Sequence, residues 1–386
     1  MLQKAIARAP RWALVAGVLA VVSAGLAALA VFGAAVLPAR TGPPVEELTV
    51  ERTVLHPGTI ELTVRNTGPD PVTVAQVTVD DSFVDVAGGT EPIDRLGTAT
   101  LRLDYPWQDG MPYRVGLLTS TGLVIEHEIP VAVATPAVDA PSLGRMALLG
   151  ALIGIVPVLL GMTALPVLRR AGPTATRVLL AFTVGLLGFL AVDAAIDGSD
   201  LAAATGGAFG GVALVALGAA LAFLALAAVD RIPRRGATGP HLALLIAIGI
   251  GLHNLGEGLA VGSAFAVGEL ALGTALLVGF AVHNTTEGIA VVAPLTGQRA
   301  TPSRLLGLGL VAGAPAMLGT VLGATVTTPA QAAFLLGLGI GAIAQVAVQI
   351  TPLLRGAAGR SLDAPVIGGL AGGALVMYLT GLLVAG

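Results

Sequence analysis

Two hexapeptides in this 386-residue chain carry the same chemistry-bearing side chains. His253-Asn254-Leu255-Gly256-Glu257-Gly258 and His283-Asn284-Thr285-Thr286-Glu287-Gly288 both read H-N-x-x-E-G. They hold two of the five histidines, and each lies inside a long apolar stretch. On a helix, His and Glu at i and i+4 stand one turn apart on one face, with the Asn adjacent. Imidazole, carboxylate and carboxamide together form a ligand set for a divalent cation. The chain has no cysteine. Disulfides, thiolate nucleophiles and Cys-type zinc sites are therefore excluded, and any metal must be held by His, carboxylate or amide groups.

The two motifs are expected on consecutive antiparallel helices that turn near Gly268-Glu269. Glu257 and His283 are each 13 residues from position 270, and His253 and Glu287 are each 17. His253 is thus expected level with Glu287, and Glu257 with His283, at about 20–26 Å from the turn. That depth is around the middle of a bilayer core about 30 Å thick, or just inward of it. An ionised side chain there costs at least ~2.5–3.5 kcal/mol, and two glutamates at one level repel each other as well. A divalent cation compensates both carboxylates while neutral imidazoles complete its shell. Without metal, one glutamate is expected to hold a proton. The bland alternative is interhelical hydrogen-bond glue, which would use Ser, Thr or a single Asn rather than six residues at matched depth.

The elements that must position these residues are membrane helices. The chain is 55% hydrophobic and 11% charged, with a mean hydropathy of +0.89. A soluble protein of this length needs far more charge to cover its surface. Nine apolar spans are expected, at 12–37, 146–168, 178–196, 202–229, 242–268, 270–296, 305–327, 329–354 and 365–385. Breaker clusters separate them, such as Arg169-Arg170-Ala171-Gly172-Pro173 and Arg231-Ile232-Pro233-Arg234-Arg235. Short cytoplasmic loops retain Lys and Arg. Lys4, Arg8 and Arg11 therefore place the N-terminus inside. Alternation then puts the loops with Arg169, Arg170 and Arg177, with Arg231, Arg234 and Arg235, with Arg299 and Arg304, and with Arg355 and Arg360 inside as well. Residues 41–138 and the C-terminus fall outside; Arg145 is the one small exception. The first span is read as an uncleaved anchor, since its apolar run is longer than a signal peptide's h-region. A cleaved signal peptide is the alternative.

Residues 41–138 are expected to form a small extracytoplasmic β-sandwich. Thr59–Arg65, Val72–Val79, Thr98–Leu103 and Val124–Ile129 alternate polar and apolar, and Gly, Pro and Asp clusters separate them. His56, Met111 and His127 are its only soft-metal candidates. A blue-copper site would need a Cys, so they are read as structural surface residues. The domain plan is a tail and anchor at 1–40, the β-domain at 41–138 and a helical core at 143–386. No run of like charge suggests nucleic acid.

The paired H-N-x-x-E-G motifs, on consecutive helices late in an eight-helix core, resemble the ZIP (Zrt/Irt-like) divalent metal transporters. The resemblance covers residues 143–386, including the helix count and an outside C-terminus. It implies an all-α polytopic membrane protein: an eight-helix core, here with one added N-terminal helix and the β-domain. It also implies that His253, Asn254, Glu257, His283, Asn284 and Glu287 are metal ligands, that the metal moves into the cytoplasm, and that one helix bundle slides against another. Members often have Pro before the motif Glu, where this chain has Gly256 and Thr286; a Thr286 bond to a backbone carbonyl and the freedom of Gly256 can preserve some helix distortion. Ala314-Pro315 stands where many members have Glu-Pro, so a second metal would lack that ligand. The loop before the fifth span, His-rich in many members, has only His241 here.

Three further features sharpen the expectation. Asp193, with Asp197 and Asp200, is either an acidic entrance for cations or ordinary helix-end polarity. Gln345 and Gln349 share a face of the eighth span; Gln345 either completes the site or is packing glue. Gly206-Gly207 and Gly307-Leu308-Gly309 permit close helix packing. The expected function is import of a divalent transition metal across the cell's inner membrane, with zinc first and iron(II) or manganese(II) open. The metal is substrate rather than resident cofactor. A non-enzymatic role is expected, since no H-E-x-x-H is present for an intramembrane hydrolase. A membrane metal sensor, with the β-domain as its partner-binding module, is the other rival. A homodimer within the lipid bilayer is one expectation for assembly.

Overall fold

The computed structural model describes residues 42–135, 139–203, 210–230, 238–266, 270–325, 328–355 and 362–385, with isolated positions between 21 and 27. Most of the expected N-terminal anchor, the Arg231–Arg235 cluster, Gly206-Gly207 and the Gly268-Glu269 turn lie outside the described residues.

Eight strands form the N-terminal part: β1 (Leu48–His56), β2 (Thr59–Asn66), β3 (Val74–Val79), β4 (Ser82–Val84), β5 (Val86–Ala87), β6 (Thr98–Asp104), β7 (Tyr113–Thr119) and β8 (Val124–Ile129). They make two antiparallel sheets, ordered β1-β2-β6-β5 and β4-β3-β7-β8. In β2, alternation sends Ile60, Leu62 and Val64 into a core shared with Leu101 and Leu103 and, from the other sheet, Val77, Val79, Val115 and Leu117. Asp80 and Asp81 both take positive φ (46° and 64°) in the two-residue β3–β4 turn, which Asp tolerates better than most side chains. His127 serves the fold: it is hydrogen-bonded at 2.9 Å to Thr53 of β1.

From Ala140 onward the described residues are mainly helical. The first rod runs from Ala140 to Arg170 and is composite: α1 (Ala140–Gly150), a π-turn over Ala151–Ile155, α2 (Val156–Met162) and α3 (Leu165–Arg170). Asp139 caps it by accepting from Ser142 N. Then follow α4 (Pro173–Ala203), α5 (Val212–Asp230), α6 (Thr238–Ala266), α7 (Leu270–Val292), α8 (Pro302–Thr325), α9 (Pro329–Ile350) and α10 (Ala364–Ala385). Among the described residues, six helical segments are long and apolar enough to cross a membrane by length and composition: Ala140–Arg170, Pro173–Ala203, Gly239–Ser263, Pro302–Thr325, Pro329–Leu354 and Ala364–Leu382. That is the signature of a multi-pass membrane protein.

Two expected boundaries are corrected. The third span does not stop at 196 but continues as α4 to Ala203, so Asp193 and Asp197 lie inside the helix and Asp200 in its last turn. The fourth does not begin at 202; α5 starts at Val212, after Gly210 and Gly211 at φ 88° and 54°, a left-handed pair that an apolar Ala/Gly count does not reveal.

The helices approach through small residues. A Cβ on Gly258 of α6 would lie 2.3 Å from Ala316 O of α8, and one on Gly319 would lie 2.2 Å from Leu255 O, so these backbones touch directly. The main apolar cluster includes Ile246 and Ile250, on the N-terminal half of α6, and Val291 and Val292, at the C-terminal end of α7. On the Arg-bearing end, Arg177 donates to Leu354 O and to Asp363 Oδ2 (2.7 Å), tying the start of α4 to the end of the α9 segment and the start of α10. That bond holds the Asp363 carboxyl below the usual carboxylate range.

Candidate metal centre

Helices α6 and α7 carry the two motifs through their middles, and all six motif residues are buried: His253, Asn254, Glu257, His283, Asn284 and Glu287. The structure converges three of them. One ligand atom each from His253, Glu257 and His283 lie within 4.8 Å of one another. Glu257 is the hub. Its Oε1 lies 2.9 Å from His253 Nε2 one turn away on the same helix, and it contacts His283 Nε2 across the helix pair. Its Oε2 accepts from Asn284 Nδ2 at 3.1 Å. The expected level of Glu257 with His283 is therefore observed as direct contact. The two imidazole rings are 6.5 Å apart, and Phe280 stacks edge-on against His283 at 5.4 Å.

The amides are anchored rather than loose. Asn254 Nδ2 donates to Ala312 O of α8 at 3.0 Å, and Asn284 Nδ2 donates to Ile153 O of the π-turn at 2.8 Å. In both, the carbonyl Oδ1 is buried and makes no hydrogen bond, and both carboxylate oxygens of Glu287 are likewise without a hydrogen-bond partner. Buried polar atoms are nearly always satisfied, so such atoms need an account. Here every orphan on Asn254, Asn284 and Glu287 is an acceptor. A bound cation would complete these buried, unbonded acceptors. Glu287 stands outside the three-residue cluster, and both of its carboxylate oxygens are unbonded.

A narrow cavity of about 60 Å³ reaches this cluster. Asp193 and Asp197 of α4 line it together with His253 and Glu257, and no lysine or arginine is among its lining residues. This places the acidic ladder of α4 beside the cluster, where the sequence suggested either an entrance or a helix end. Room at the wall comes partly from Gly339 of α9, where an added Cβ would lie 3.4 Å from the His253 Cα.

Other expectations resolve locally. Thr286 Oγ1 donates to His283 O at 2.7 Å, the back-bond expected to compensate for the missing proline. Gln345 is buried with Oε1 unbonded, and Gln349 has both polar atoms unbonded; neither belongs to the three-residue cluster. The carbonyls of Ile153 and Ala312 went unnoticed in the sequence, because a backbone group has no residue type to mark it. The nearest available signal was a proline close by in each helix, Pro157 and Pro315.

A scan of the chain against protein-family models finds no match, and a search of the curated proteins finds no relative. The reading of the site therefore rests on its own chemistry.

Proposed function

We propose that the chain is a membrane transporter that carries a divalent transition-metal ion through the α6–α7 site, in the manner the resemblance to ZIP transporters implies. The observation that carries this reading is the set of buried, unbonded acceptors on Asn254, Asn284 and Glu287 beside the His253–Glu257–His283 cluster. Asp193 and Asp197 supply an acidic wall at the cavity, which concentrates cations before they meet the imidazoles. His253, His283 and Glu257 then take the ion as a mixed N/O site, a preference that suits zinc first and accepts iron(II) or manganese(II). Neutral imidazoles paired with two carboxylates cancel the ion's charge, so the loaded site crosses a low-dielectric region at lower cost than either charge alone. The distribution of arginines supports an inside N-terminus and an outside β-domain and C-terminus in an inner membrane; inward flux rests on the resemblance. An eight-helix transport core at 143–386 with the β-sandwich added outside fits this plan.

The test is metal flux into proteoliposomes loaded with a metal-sensitive dye, across zinc, iron(II), manganese(II) and cadmium. Wild type is expected to fill the vesicles, and a Glu257→Gln, Glu287→Gln variant to fall to the rate of empty liposomes. Tight binding with no flux under any gradient would reject transport in favour of a membrane metal sensor. Metal-dependent hydrolysis of peptide or lipid would favour an intramembrane enzyme.

A further inference from the structure

The two N–H groups of the Asn284 amide have acceptors on either side. Nδ2 donates to Ile153 O at 2.8 Å and to Glu257 Oε2 at 3.1 Å. Turning the amide over would set its oxygen against those same acceptors, so the two bonds together fix where Oδ1 points. Glu257 Oε2 is available because the carboxylate is part of the site. Ile153 O is available for a different reason. Its ordinary helical donor would be the N–H of the residue four further on, which is Pro157, and proline has none. The chain is wound there as a π-turn over Ala151–Ile155, with Pro157 buried just beyond it. Beside the Asn284–Ile153 bond, α2 and α7 touch backbone to backbone. A Cβ on Gly161 would lie 1.9 Å from Thr285 O, and one on Gly288 would lie 2.1 Å from Val158 O.

The geometry points to Pro157 as a positioning residue of the cation site: by withholding an N–H from Ile153, it leaves that carbonyl to hold the Asn284 amide with its oxygen free for the ion. This rests on the metal reading above. Pro157 touches no ion itself. It acts through one carbonyl and one amide, and it makes position 284 an oxygen donor without charge. An Asp there would face Ile153 O with an acceptor of its own.

The experiment is a double-mutant cycle on the full-length protein in detergent, titrated with zinc and with manganese(II). Pro157→Ala gives Ile153 a competing N–H and is expected to weaken binding roughly three- to tenfold, the scale of one hydrogen bond. Asn284→Ala is expected to weaken it by at least as much, and adding Pro157→Ala to that background is expected to cost nothing further. Unchanged affinity in Pro157→Ala, or losses that simply add in the double variant, would overturn the inference. Should Pro157→Ala misfold, Asn284→Asp decides. Weaker zinc binding despite the added negative charge supports an amide held by Ile153, and tighter binding contradicts it. Wild type that binds neither metal would remove the site reading as well, and is recognised separately because Glu257→Gln would then change nothing.

Discussion

Asn66 in the β-sandwich and Asn284 in the helical core are both fully buried, yet they are used in opposite ways. Asn66 donates from Nδ2 to Asp70 O (2.7 Å) and Ile93 O (2.8 Å), and its Oδ1 accepts from Gly68 N (2.9 Å). Its bonding is complete, and it pins loops to the end of β2. Asn284 is equally well anchored through its N–H groups, but its oxygen is left over. The difference teaches how to tell a structural polar residue from a site. Burial and residue type are the same in both; the remainder after the hydrogen bonds are counted is not.

The largest effects that sharpen this contrast come from removing the two amides. Asn66→Ala removes three buried or part-buried hydrogen bonds, to Gly68 N, Asp70 O and Ile93 O. We expect a loss of about 2–4 kcal/mol of β-domain stability and no change in metal affinity. The fluorescence of Trp107, which sits in the sandwich with its Nε1 donating to His56 O (2.7 Å), can follow the unfolding. Asn284→Ala is expected to do the reverse, lowering zinc affinity by about tenfold, the range seen when a partner of a metal shell is removed, while sparing the Trp107 transition. If both variants damaged stability and binding alike, the distinction between satisfied and unsatisfied amides would be broken.

A smaller effect concerns pH. Burial holds the His127 imidazole below its ordinary value, so the folded sandwich prefers it neutral, bonded to Thr53. A lowered folded value means that the unfolded chain binds the proton more readily. The contribution is therefore complete above the unfolded value near 6.5 and is lost as pH falls below it through the folded value. Urea unfolding followed by Trp107 should show a midpoint that declines on acidification from about pH 7 to 5. His127→Gln should flatten that decline. A wild-type midpoint flat over the same range would contradict the assignment.

What could be read in the sequence follows from what each element leaves there. Strands β2, β6 and β8 were legible because one face is buried and the other wet, which prints an alternation. Strand β1 was not, because a bulge between Val50 and Arg52 shifts the alternation partway along it. Strand β7 was not, because residues of both parities are buried along it and Gly116 interrupts it, where a Cβ would press on Thr78 Oγ1 at 2.6 Å. Helix α4 was cut short because Asp193, Asp197 and Asp200 lower its hydropathy, although all three lie within the helix and Asp193 and Asp197 line the cavity. The six motif residues were legible from type and i, i+4 spacing. Which of them converge on Glu257, and which of their oxygens stay unbonded, was not, because it depends on which carbonyls of neighbouring helices hold the two amides.

The central claim is that the unbonded acceptors of α6 and α7 hold a divalent cation, and zinc-edge X-ray absorption on the purified, zinc-loaded protein tests it most directly. The expected spectrum is a shell of nitrogen and oxygen only, with the multiple-scattering signature of two imidazoles, and loss of that signal in the Glu257→Gln, Glu287→Gln variant. A zinc spectrum unchanged in that variant, or one without imidazole scattering, would place the metal elsewhere and contradict the account.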